Sequence, residues 1–120
     1  MISVYELFVV RFCEVKMDNQ EYVEFLRTVL IKIENTINLM DQKPSKHIPS
    51  YHKMLGVQQK LAGLDQSYKN KMFPQLINVR SIIHYFMNGR YAESYAHINK
   101  LKGDIIKICL DINENEKNKV

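Results

Sequence analysis

The chain has 120 residues, 46% hydrophobic and 25% charged, with 17 Lys and Arg against 13 Asp and Glu for a net charge of +4. That is the length and usage of one globular domain, and it excludes a wholly disordered chain, a collagen-like repeat and a disulfide scaffold. Four glycines and three prolines are too few for a many-turned β-sandwich.

Residues 2–17 are apolar on most sides, interrupted only by Glu6, Arg11, Glu14 and Lys16. They are read as a first helix, central in the core or buried in a homodimer interface. The segment has no basic start, and its longest unbroken apolar run is Leu7-Phe8-Val9-Val10. It therefore suits neither a signal peptide nor a membrane span, and a cytoplasmic location is expected. Cys13 and Cys109 each sit among apolar neighbours and read as buried thiols.

Asp18-Asn19-Gln20-Glu21 is a capping box that opens a second helix. Tyr22, Leu26, Val29, Ile33, Thr36 and Met40 form its stripe, widened by Val23, Leu30 and Ile37, and it ends near Asp41. Residues 42–49 hold two prolines and no periodicity, so they form a linker. A third helix starts at Pro49 or Ser50, with Met54, Val57, Leu61, Leu64 and Tyr68 inward. Gly56 and Gly63 within it imply close packing or a break near Gly63. Residues 67–71 read as a polar turn. Pro74 sits in the first turn of a fourth helix, where its missing N–H does least harm. Met72, Leu76, Val79, Ile83, Phe86 and Met87 share one arc of that helix, and Asn78, Ser81 and Tyr85 lie opposite. Asn88-Gly89 ends it. A fifth helix from Arg90 carries Tyr91, Tyr95, Ile98, Leu101, Ile105, Ile108, Cys109 and Ile112 inward. The expected fold is all-α: a single-domain bundle of about five amphipathic helices with short connections, over residues 1–112, followed by a polar tail, 113–120, that frays.

No motif names an activity. Arg80 and His84 stand four apart, on one helix face, and could together hold a phosphate or act as an acid–base couple. The competing reading is an interior Arg80 paired with a carboxylate of another helix. Phe73-Pro74…Arg80-Ser81-Ile82-Ile83-His84-Tyr85 resembles the Arg-plus-His motif of HEPN-type ribonucleases, which are small helical bundles. The resemblance implies RNA cleavage by Arg80 and His84. Fewer residues separate them than in that motif, and Ser81 stands where Asn or Asp is usual. Phe86-Met87-Asn88-Gly89-Arg90-Tyr91-Ala92-Glu93 is similar to the inner half of a tetratricopeptide hairpin. It does not recur in the chain, so the likeness implies a tight helical hairpin rather than a solenoid.

Residues 41–72 carry six lysines (Lys43, Lys46, Lys53, Lys60, Lys69, Lys71) against Asp41 and Asp65. Such a segment can attract nucleic acid or can simply be a solvated face. The histidines His47, His52, His84 and His97 show no metal-ligand spacing, and neither a metal nor any other cofactor is expected. Six methionines and twelve aromatics (seven Tyr, five Phe) exceed what an inert spacer needs. The expected function is a non-enzymatic protein-interaction module (regulator, adaptor or inhibitor) that buries apolar side chains of a partner or of a second copy. Its candidate binding residues are Tyr5, Phe8 and Phe12 on the first helix, with Arg80, His84 and Tyr85 on the fourth. The alternatives are a nucleic-acid-binding protein or HEPN-like ribonuclease using Arg80 and His84, and a subunit of a larger assembly.

Overall fold

The computed structural model describes residues 17–118. The first predicted helix, with Tyr5, Phe8 and Phe12, lies outside the described residues. Within them the chain forms α1 (Asn19–Asp41), α2 (His47–Ala62), α3 (Gln66–Lys71), α4 (Phe73–Met87) and α5 (Tyr91–Asn118). The bundle is all-α, and no strand occurs among the described residues.

The four long helices pack in a ring: α1 on α2, α2 on α4, α4 on α5, and α5 back on α1. Side-chain contacts fix the directions. Asn19 at the start of α1 donates to Glu116 at the end of α5 (2.9 Å), and Tyr95 near the start of α5 donates to Asp41 at the end of α1 (2.8 Å). Tyr51 in α2 meets Phe86 at the end of α4 edge-on, with centroids 6.4 Å apart. Neighbours are therefore antiparallel, as short loops require.

Each helix starts and stops for local reasons. Asp18 Oδ1 accepts from Glu21 N–H at 2.7 Å and caps α1. Leu26, Val29, Ile33 and Thr36 are fully enclosed, so the stripe read from spacing is the buried face. Among the described residues Thr36, Ser50 and Ser94 are the buried polar ones, and each hydroxyl donates to a backbone carbonyl. No unmet polar group is thereby placed in the core by these three.

Five expectations need correction. First, α2 begins at His47, not at Pro49 or Ser50. Pro49 falls in its first turn, where no intrahelical N–H bond is lost. Second, the polar turn at 67–71 is a short helix, α3. Asp65 caps it by accepting from Ser67 N–H at 2.8 Å, and its Tyr68 ring packs on Tyr22 with centroids 4.2 Å apart. Third, Met87 is 69% exposed, whereas Ile82, absent from the predicted arc, is fully buried. Fourth, Asn78, Ser81 and Tyr85 are half-buried. Asn78 and Tyr85 meet His97 of α5 there. Fifth, α5 continues through the polar stretch 113–118 to Asn118 instead of ending at Ile112.

Two glycines have opposite uses. Gly89 adopts φ +69°, and α4 ends in a Schellman motif: Arg90 N–H reaches Tyr85 O at 2.8 Å and Gly89 N–H reaches Phe86 O at 3.2 Å. Gly56 sits mid-helix, and a Cβ there would meet nothing within 4 Å, so close packing is not its reason. Gly89→Ala is expected to lower stability by about 1 kcal/mol and Gly56→Ala to raise it by about the same amount. Urea denaturation of the two variants checks both signs at once.

Candidate functional site

Two surface regions bring chemistry-bearing side chains together. The first is a notch where the start of α2 meets the α4–α5 turn. Lys46 N–H donates to Leu39 O at 3.0 Å and Ser45 Oγ to Met40 O at 2.7 Å, which pins the first turn of α2 against the end of α1. That turn presents His47, Ile48 and Tyr51. The Schellman turn sets Tyr91 beside Phe86, with ring centroids 6.2 Å apart. His47 then stacks on Tyr91 almost in parallel, centroids 3.7 Å apart and planes 4° apart. These groups and Met87 line a hollow of about 290 Å³. Its rim is apolar and open: Ile48 is 72% and Met87 69% exposed.

The second region is the outer face of α4 against α5. His97 Nδ1 lies 3.2 Å from Asn78 Oδ1, an acceptor, which makes Nδ1 the donor of this pair. Tyr85 stacks on His97 at 5.2 Å, and the Arg90 guanidinium covers Tyr85 at 5.0 Å. Arg90 is also paired with Glu93 at 3.1 Å. The backbone N–H at Glu93, then Arg90, hold that carboxyl below the usual carboxylate range. Asn88 Nδ2 donates to His84 O at 2.8 Å.

Arg80 and His84 are both exposed, so the interior, ion-paired Arg80 is not what forms. They line an open hollow of about 310 Å³ with Ile77, Ser81 and Tyr85. No ion pair of Arg80 and no hydrogen bond between Arg80 and His84 occurs among the described residues. The structure thus brings Arg80, His84 and Tyr85 to one face, but Tyr85 is spent on His97 and Arg90.

A larger hollow, about 560 Å³, separates the start of α1 from the end of α5. Its charged groups are already engaged: Asp18 in capping, Glu24 with Arg27, and Glu116 with Asn19. No group of three or more His, Cys, Asp or Glu able to hold a metal occurs among the described residues. No described helix is long and apolar enough to cross a membrane.

Sequence reasoning did not bring His47, Ile48, Tyr51, Met87 and Tyr91 together as a site; it read Met87 and Tyr91 as inward-facing and His47 only as a histidine without metal-ligand spacing. The available signal was weak: Ile48 directly before a proline at a helix start, and Met87 directly before Asn88-Gly89. The geometry defines a small antiparallel helical bundle with an apolar notch at one end. No protein-family model, curated protein or solved structure matches the chain.

Proposed function

We propose that the protein is a non-enzymatic interaction module, a small regulator or adaptor that captures a partner protein in the notch between α2 and the α4–α5 turn. One observation carries this reading: Ile48 and Met87, more than two-thirds exposed, flank a hollow walled by four rings and stand in water with no role in the core. Met is adaptable and aromatic walls are rigid, a combination suited to gripping an apolar side chain. The surrounding chemistry does not favour catalysis. The hollow is open, its histidine ring is stacked flat, and no base–nucleophile pair lines it.

Affinity capture from source lysate tests this, comparing the wild-type chain with Met87→Glu, with and without nuclease. Expected are protein partners that survive nuclease and are lost with Met87→Glu. The changed side chain is exposed, so the variant folds. Partners indifferent to Met87→Glu would overturn the reading.

A second reading is nucleic-acid binding through Arg80 and His84. It is favoured by the exposure of both and by the absence of a carboxylate on Arg80 among the described residues. In that case the captured material disappears on nuclease treatment and with Arg80→Ala, whereas Met87→Glu leaves it unchanged.

A further inference from the structure

We infer that the outer seam between α1 and α5 is the docking site of residues 2–16 of the same chain, which turn back at Met17 and lie along it. The seam starts at the opposite end of α1 from the notch, about 33 Å away by helix rise, so this inference does not depend on the proposed function.

The place where the segment joins the bundle comes first. Met17 packs against the core, and Asp18, the next residue, lines the hollow of about 560 Å³. Asp18 is extended, with φ −82° and ψ 173°, so α1 does not run back through it in a straight line. A link of Met17 and Asp18 is long enough for a turn between antiparallel helices.

The hollow continues into a longer groove. Gln20, Glu24 and Arg27 line it from α1, and Asn113 and Glu116 from α5. The same steps of three and four lead on to Ile31 and Glu34 on α1, and back to Ile106 and Lys102 on α5. Lys102 and Glu34 meet at 3.8 Å and mark the far end. Between the hollow and this ion pair the groove turns apolar, with Ile31 58% and Ile106 37% exposed. Its charges are matched within it, Glu24 with Arg27 and Glu34 with Lys102. An apolar occupant therefore suits it better than a charged one.

Length and pattern choose the occupant. From Gln20 to Glu34 is about 21 Å of helix, and residues 2–16, as the helix their sequence predicts, span about the same. On that helix Tyr5, Phe8 and Phe12 recur at steps of three and four on one face, and Glu6 and Glu14 fall on another. A segment tethered beside its site meets it at an effective concentration of roughly millimolar, which favours the same chain over a second copy.

Amide hydrogen exchange of the full chain, read by mass spectrometry, tests this. Amides of residues 4–16 should exchange at least about ten-fold more slowly than in an unstructured peptide. Ile106→Glu, and separately Ile31→Glu, should bring them to within about two-fold of the unstructured rate, while the amides of α1 and α4 stay as slow as before. Met87→Glu should change nothing in the segment. The protection should also be constant over a roughly hundred-fold range of protein concentration. Fast exchange of residues 4–16 in the wild type would overturn the inference. So would protection indifferent to both seam variants, which places the segment elsewhere. Protection lost on dilution would assign the seam to the segment of a second copy instead.

Discussion

Leu101→Ala is expected to lower the stability of the fold by about 3 kcal/mol, within the range of roughly 2–5 kcal/mol for emptying an enclosed leucine site. Leu101 is fully buried on α5, the helix that packs on both α1 and α4. Truncation there opens a void facing two neighbours, and rigid antiparallel helices collapse into it only partly. Total stability of a domain is about 5–15 kcal/mol, so the loss should show as a thermal midpoint lower by roughly 10 °C or more. Leu110→Ala is the internal control. It removes the same atoms from the same helix, but Leu110 is 62% exposed, and the cost should stay below about 0.5 kcal/mol. Equal losses at the two positions would mean that α5 sits in another rotational register.

The contrast between these two leucines shows how much of the fold was legible. Leu101 belongs to a stripe with steps of three and four, and such a stripe names its own buried face. The same holds for Leu26, Val29, Ile33 and Thr36 on α1. The pattern becomes ambiguous where a helix is apolar over a wide arc. On α4, Phe86 and Met87 differ by one step of about 100°. Only the placement of Tyr51 against Phe86, supplied by another helix, decides that Phe86 is covered and Met87 is not. Polar residues mislead in the opposite way. Asn78 and Tyr85 look solvated by type, yet they pair with His97 across the α4–α5 seam. Six residues of α3 are too few to show a period, although Asp65 as a cap and Tyr68 as an anchor were both present in the sequence. At the far end of α5, adding residues to an existing helix costs little, and the Asn19–Glu116 bond ties the extension to α1.

The notch was the least legible feature, for a physical reason. It is made where two helix starts from distant parts of the chain converge, and periodicity describes faces, not ends. His47 carries no signal alone and neither does Tyr91; their stacking creates the site. The candidate pair Arg80 and His84 was legible as a shared face because four-residue spacing is local. Whether that face was open depended on the neighbouring helix, and the structure leaves both residues exposed.

At the opposite end of the bundle, Tyr22 gives the protein a defined alkaline weakness. Tyr22 is 2% exposed, packed on Tyr68 and close to Cys109, and burial, then these two neighbours, push its hydroxyl from 10.0 up to about 12. The phenolate is thus disfavoured in the folded protein relative to the unfolded chain. Its contribution is fully present below pH 10 and is lost as the pH rises through about 12. Two units correspond to about 2–3 kcal/mol. Burial likewise raises the Cys109 thiol and the Tyr68 hydroxyl, so the wild-type chain loses stability from several groups at once. Tyr22→Phe isolates one of them: it keeps the ring in the core and removes the proton. Urea denaturation at pH 9 and at pH 12 should show the variant gaining about 2–3 kcal/mol on the wild type across that interval, while both still lose the common part. If the two curves fall in parallel, the Tyr22 hydroxyl is solvated and the closed contact between α1, α3 and α5 at this end is not the one described.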